Sequence, residues 1–178
     1  MKRLFITLLA IEFAFAGTCI AQENKKMSRA ERAKEYFMQG YACSQAVALA
    51  FADLTTLTNE EIVKVTLPFG GGLGRLRLTC GAVSGMCAVV GLLYAKGENT
   101  SENKLQTYAI VQELCAKFQE ENGSLICAEL LSGASVKTTV GGVAEERTQA
   151  YYKKRPCAEL VYIAADILDK YIQENPVS

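Results

Sequence analysis

Residues 67–87 read LPFGGGLGRLRLTCGAVSGMC, and the fold is read outward from them. Pro68 ends whatever helix precedes it, because its ring removes a backbone donor and blocks the previous turn. Glycines at 70, 71, 72 and 74 then mark a turn, and Arg75 and Arg77 follow. From about Thr79 to Ala95 the chain is almost uncharged and rich in small residues, which predicts an apolar helix. That helix is shorter than the ~20 residues a membrane span needs and carries Gly81, Ser84, Gly85 and Gly91. It is expected to be the central buried helix of a soluble bundle, with small residues at 81, 85 and 88 admitting close neighbours.

The flanking sequence supplies helices to surround it. Ser28 to Glu31 has the pattern of a capping box, and a helix should run from there to about Met38 before Gly40 closes it. Residues 42–54 predict a second helix, with Ala46, Val47, Ala50 and Phe51 at helical spacing. Thr58 opens a third, with Glu60 and Glu61 in its first turn. A long helix from Ser101 to about Glu121 carries a stripe of Leu105, Tyr108, Val111, Leu114, Cys115 and Phe118, and Asn122-Gly123 ends it. Short helices follow near 124–131 and 143–153. The last runs from Cys157 to about Glu174, with Leu160, Val161, Ala164, Ile167, Leu168 and Tyr171 on one face. Alternating β-branched runs are missing apart from a short stretch at 136–140. The expected fold is all-α: a compact single-domain bundle of six to eight helices, spanning 28–175, around the helix at about 79–95.

Composition narrows the chemistry. With 178 residues and 50% of them apolar, the chain can bury an ample core. Its net charge is zero, so nothing points to nucleic acid or an anionic membrane surface. Histidine is absent, which excludes a histidine-based triad, a Cys–His pair, His-ligated zinc and CxxCH haem attachment. The segment GGGLGRLR matches neither the dinucleotide fingerprint nor a phosphate loop. Glu60-Glu61, Glu120-Glu121 and Glu145-Glu146 read as solvated faces, and Arg75, Arg77 and Arg155 as surface charges unless they offset thiolates.

Residues 1–21 read as a secretory signal, with Lys2 and Arg3 before an apolar run and a small residue, Ala21, at its end. Glu12 is the misfit within that run. Residues 22–27 would be a linker. A cleaved signal makes this a bacterial exported or periplasmic protein, and translation from Met27 makes it cytoplasmic. The mature chain is expected to have no membrane span.

Seven cysteines stand at 19, 43, 80, 87, 115, 127 and 157, and no CxxC occurs. Cys43, Cys80 and Cys157 each open an expected helix, and Cys127 falls in the first turn or two of another. A thiol at a helix start has its thiolate favoured by the dipole and the free amides there. Cys87 and Cys115 read as small buried hydrophobes, with Cys87 on the face of Cys80.

Cys43, then Cys80-Gly81-Ala82-Val83-Ser84-Gly85, then Cys127 and Cys157, resembles the redox-active family named for its C–GCAxxG–C–C signature. FGGGLGR, the NGS ahead of Cys127 and the RPC at 155–157 fit the same resemblance, which covers about 28–172. The resemblance implies a four-cysteine redox site at Cys43, Cys80, Cys127 and Cys157, with no assigned substrate and an unknown redox partner. Related sequence occurs in split-Soret cytochromes, which carry haem and an iron–sulfur centre. This chain lacks the means to attach haem.

Three functions fit these residues. In the first, the four thiolates hold a metal or iron–sulfur cluster for electron transfer, since thiolate-only ligation suits a protein without histidine. Gly71, Gly72, Gly74, Gly81 and Gly85 would then bring backbone amides close to the cofactor. In the second, the same cysteines, as redox thiols, exchange between dithiol and disulfide. The third is a structural metal-bound or disulfide-stapled binding module with no turnover.

Overall fold

Ser28 caps the first helix as its sequence predicts: the Glu31 amide donates to its hydroxyl, and the Glu31 carboxylate accepts from the Ser28 amide. The computed structural model describes residues 27–177. The signal reading of 1–21 and, apart from Met27, the linker reading of 22–27 lie outside the described residues.

Among the described residues eight α-helices follow one another: α1 (Arg29–Met38), α2 (Cys43–Leu49), α3 (Asn59–Thr66), α4 (Gly81–Tyr94), α5 (Ser101–Asn122), α6 (Cys127–Gly133), α7 (Gln149–Lys154) and α8 (Cys157–Glu174). Two 3₁₀ turns, Ala52–Leu54 and Leu67–Phe69, complete the regular structure. The described residues form no strand, only an isolated antiparallel bridge between Thr79 and Ile126. The fold is all-α, and 136–140 is irregular. No described helix is long and apolar enough to cross a membrane.

The core is one cluster built mainly by α1, α2, α4, α5 and α8, with Phe37, Phe51, Met86, Val89, Phe118 and Leu168 fully buried in it. At ~25 cal/mol per Å² of apolar surface, burying each such side chain stabilises the fold by about 2–3 kcal/mol. α4 lies between α2, α5 and α8. Its glycines explain how closely it meets α2. A Cβ on Gly85 would stand 2.6 Å from the Ser44 carbonyl oxygen, and one on Gly81 would stand 3.2 Å from the Cys43 Cβ. Ala88, by contrast, is only half-buried.

Three expectations need correcting. The helix expected over 42–54 stops at Leu49, because Arg29 reaches back to its end. The Arg29 guanidinium donates to the Ala50 carbonyl at 3.0 Å, stacks over Phe51 and pairs with Asp53, so the chain tightens into a 3₁₀ turn. The stripe expected on α5 is only half used. Leu114 and Phe118 are buried, whereas Leu105 is 66% exposed and Tyr108 58% exposed, because the N-terminal half of α5 extends past the core. The helix expected over 143–153 is confined to 149–154.

Candidate functional site

The glycine-rich turn is built in an unusual conformation. Gly71, Gly72, Leu73, Gly74 and Arg75 all have φ between 53° and 72°, and Arg77 joins them at 62°. A run of left-handed residues costs roughly 1–2 kcal/mol for each one with a Cβ, so glycine is needed at most of its positions. The turn closes on itself: the Gly74 amide donates to the Pro68 carbonyl, Arg75 to Gly70, Arg77 to Gly71 and Leu78 to Gly72. Those amides are therefore committed within the loop. Its sharp reversal swings Arg75 and Arg77 to the same side as Cys80.

A short ladder then sets two cysteines side by side. The Cys80 amide donates to the Leu125 carbonyl at 2.8 Å, and the Cys127 amide donates to Leu78 at 2.7 Å, either side of the Thr79–Ile126 bridge. Gly72 packs against Cys127 so tightly that a Cβ there would come within 2.8 Å of the Cys127 Cβ. Cys43 opens α2 and Cys157 opens α8, just after Pro156. Cys80 is the N-cap of α4, and Cys127 is the first residue of α6.

All four thiols line one cavity of about 360 Å³. Gly71, Gly74 and Gly81 line it as well, whereas Gly72 and Gly85 sit behind it, against Cys127 and α2. Arg75, Arg77, Arg147, Arg155, Glu145 and Tyr151 complete the polar part of the wall. Arg77 and Arg155 are buried, against the expectation of surface charges, because both are held under the chain between residues 139 and 151. Glu145 is likewise no free solvated carboxylate: Arg155 donates to it at 2.6 Å.

The thiols differ in electrostatic character. Cys43 and Cys157 are partners, with the Cys43 S–H donating toward the Cys157 sulfur. That bond, with help from Arg155, Arg147 and Arg77 and against the effect of burial, lowers the Cys157 thiol to about 7. The same bond, burial and the neighbouring charge push Cys43 well up. Burial pushes Cys80 up to about 12, against the pull of the Ala82 and Val83 amides. Cys127 is raised by burial and restrained by Arg77. One thiol of the four is thus poised as a thiolate near neutral pH.

Cys87 does not face this cavity, although it follows Cys80 by two helical turns. It points to α5 and pairs with Cys115, whose thiol is lowered by the Cys87 S–H while Cys87 itself is raised. Both are half-buried and sit at the α4–α5 seam. Sequence reasoning also missed Arg147 and Tyr151. Arg147 sits in a polar connection that no periodicity marks, and only the stack of its guanidinium on Phe37 and Tyr151, at 4.8 and 4.6 Å, brings it to the site.

A helical domain that gathers four distant helix-start thiols into one arginine-lined cavity defines a cysteine-centred class of protein. The chain belongs to the family described as "Putative redox-active protein (C_GCAxxG_C_C)", whose model matches residues 41–171. In coarse terms it is a redox-active protein. A protein of Archaeoglobus fulgidus is 29% identical over 153 residues, covering 79% of this chain and 93% of that relative. It carries the description "Uncharacterized protein" and so adds no function. No solved structure matches the chain.

Proposed function

We propose that this chain is a thiol–disulfide redox protein in which Cys157 is the attacking thiolate and Cys43 the resolving thiol. The observation that carries the reading is that Cys43 and Cys157 are free thiols at the starts of α2 and α8 lining one cavity, and their mutual influence favours charge on Cys157 and disfavours it on Cys43. Cys157 as thiolate attacks one sulfur of a substrate disulfide, giving a mixed disulfide and releasing the other half as thiolate. In that mixed disulfide Cys157 no longer carries charge, so two of the influences that hold Cys43 protonated, its hydrogen bond and the repulsion from Cys157, disappear, leaving burial as the main one. Cys43 then loses its proton, attacks the Cys157 sulfur and expels the second thiolate. The substrate disulfide has gained two electrons and leaves as two thiolates, one taking the proton given up by Cys43 and the other able to take one from water, and the protein ends as the Cys43–Cys157 disulfide.

A second reading has its own support, since all four thiols line the same cavity. Thiolates are suitable donors for an iron–sulfur cluster or another soft metal. Among the described residues, however, no three cysteine or carboxylate groups come together closely enough to hold a metal ion. The amides of Gly74, Arg75, Arg77 and Leu78 are also committed within the turn and are not available to a cluster. The residues do not fit the group as they stand, and no step is derived through it. An export signal at 1–21 would place the thiols in an oxidising compartment, which is the natural setting for disulfide exchange.

The two readings separate on one preparation. The chain from Met27 is purified without oxygen, and its visible spectrum, iron, zinc, acid-labile sulfide and free thiols are measured. The dithiol reading expects a colourless protein whose thiol count rises on reduction and whose Cys157→Ser variant loses disulfide exchange. Stoichiometric iron and sulfide that vanish in Cys80→Ser would replace it with the cluster reading. Zinc alone would indicate the structural module.

A further inference from the structure

The cavity is charged in a way that thiol chemistry alone does not require. Four arginines and one glutamate line it, a local excess of three positive charges in a chain whose net charge is zero. The bonds of these arginines show which are free to act. Arg155 is taken up by Glu145 and by the Tyr151 ring, and Arg75 donates its Nε to the Gly141 carbonyl at 3.0 Å. Arg77 is only 6% exposed; its Nε donates to the Thr139 carbonyl at 3.2 Å and its guanidinium lies beside the Cys127 thiol, yet its Nη2 is buried without an acceptor in hydrogen-bond range. Arg147 is clamped between the Phe37 and Tyr151 rings, and its Nη1 is likewise buried without an acceptor.

Buried charged donors without acceptors are rare in native proteins, because leaving one unpaired forfeits more than an ordinary hydrogen bond is worth. The two aromatic rings hold the Arg147 guanidinium in place and leave its Nη1 without an acceptor. A guanidinium presents a fork of N–H groups that matches a carboxylate or another oxyanion. The cavity volume lies at the lower end of small-molecule sites.

We propose that this cavity is an anion site, in which Arg77 and Arg147 bind a carboxylate or similar oxyanion group of the substrate beside the four cysteines. This assigns the substrate class for the thiol chemistry proposed above and rests on that reading: the disulfide reduced is an anionic one. Held by its oxyanion, such a disulfide is delivered to Cys157 already oriented, whereas an uncharged disulfide must find the same thiol unaided.

The test compares two disulfide reagents on the reduced chain, the anionic 5,5′-dithiobis(2-nitrobenzoate) and the uncharged 4,4′-dithiodipyridine. Each rate is divided by its rate with glutathione, and peptide mapping identifies Cys157 as the residue modified. The expected preference for the anionic reagent is roughly tenfold or more, the value of one charge-assisted hydrogen bond. Inorganic phosphate, at ionic strength held constant with potassium chloride, should slow the anionic reagent competitively and leave the uncharged one unchanged. This measurement on the unaltered chain does not depend on any variant folding. Arg147→Gln and Arg77→Gln should each reduce the preference by roughly tenfold, and Arg147→Lys should restore only part of it. If the preference survives both variants and phosphate does not compete, the arginines merely tune the thiols, and the anion site is wrong while the dithiol stands. If neither reagent modifies Cys157, the dithiol reading fails, and the anion site with it.

Discussion

Replacing Cys43 with alanine removes the group that contributes most to holding Cys157 as a thiolate. An ordinary cysteine stands at 9.0, and Cys157 is lowered to about 7. At neutral pH that is the difference between about one thiolate in a hundred and about one in two. The Cys43 S–H is the leading cause, ahead of Arg155, Arg147 and Arg77, and burial acts against all of them. In Cys43→Ala the arginines remain, so the titration midpoint should move up by about one pH unit or more without reaching that of a free thiol. Cys43→Ser, which retains a donor, should stay close to the parent. The assay is the rate of iodoacetamide alkylation between pH 5 and 10 on oxygen-free protein, resolved by mass spectrometry at Cys157. Lower basicity also weakens a thiolate as a nucleophile, so the plateau at high pH should be lower for the parent than for Cys43→Ala. A midpoint that stays near 7 in Cys43→Ala would refute the reasoning, because the arginines alone would then account for the thiolate.

Other consequences follow from the same geometry. Gly85→Ala would drive a methyl group into the Ser44 backbone, 2.6 Å from its carbonyl oxygen. It should cost about 3 kcal/mol in urea unfolding, and Gly74→Ala, with open space around it, should cost only its left-handed strain of about 1 kcal/mol. Cys87 and Cys115, already in contact, should be oxidised by glutathione disulfide to a staple between α4 and α5, with a mass loss of ~2 Da and, for a loop of roughly 30 residues, a gain of about 3 kcal/mol over the reduced form. Asp53 is held below the ordinary carboxylate range by its hydrogen bond from Arg29. That stabilisation is present above pH ~4 and lost as pH falls through the lowered value, so Asp53→Asn should flatten the acid limb of the stability profile by under ~1 kcal/mol for so exposed a group.

Much of this fold is legible because its signals are local. Ser28 and Thr58 cap their helices with the side-chain bonds their spacing predicts. The glycines of α4 are small because α2 crosses there. The end of α2 was not legible, since it depends on Arg29, distant in sequence and reaching it only in the folded chain. The helix-start positions of Cys43, Cys80 and Cys157 could be read from flanking Gly, Ala and Pro, but not which thiol faces which. Pairing Cys43 with Cys157 needs α1, α2 and α8 to pack first, and pairing Cys87 with Cys115 needs α5 on α4. Arg77 and Arg155 read as surface charges because composition makes most arginines exposed. Their burial follows from the path of residues 139–151, which has no periodicity to betray it.

The central claim is that Cys43 and Cys157 form the working dithiol, and one measurement bears on it most directly. The oxygen-free chain is equilibrated across a series of glutathione redox buffers, quenched with an alkylating agent, digested and mapped. The account predicts a two-electron transition, separate from that of Cys87 and Cys115, in which a Cys43–Cys157 cross-link replaces two alkylated cysteines, while Cys80 and Cys127 remain alkylatable. Recovery of Cys43 and Cys157 as separate alkylated residues at the oxidising end, or all four cysteines shielded by stoichiometric iron and sulfide, would contradict it.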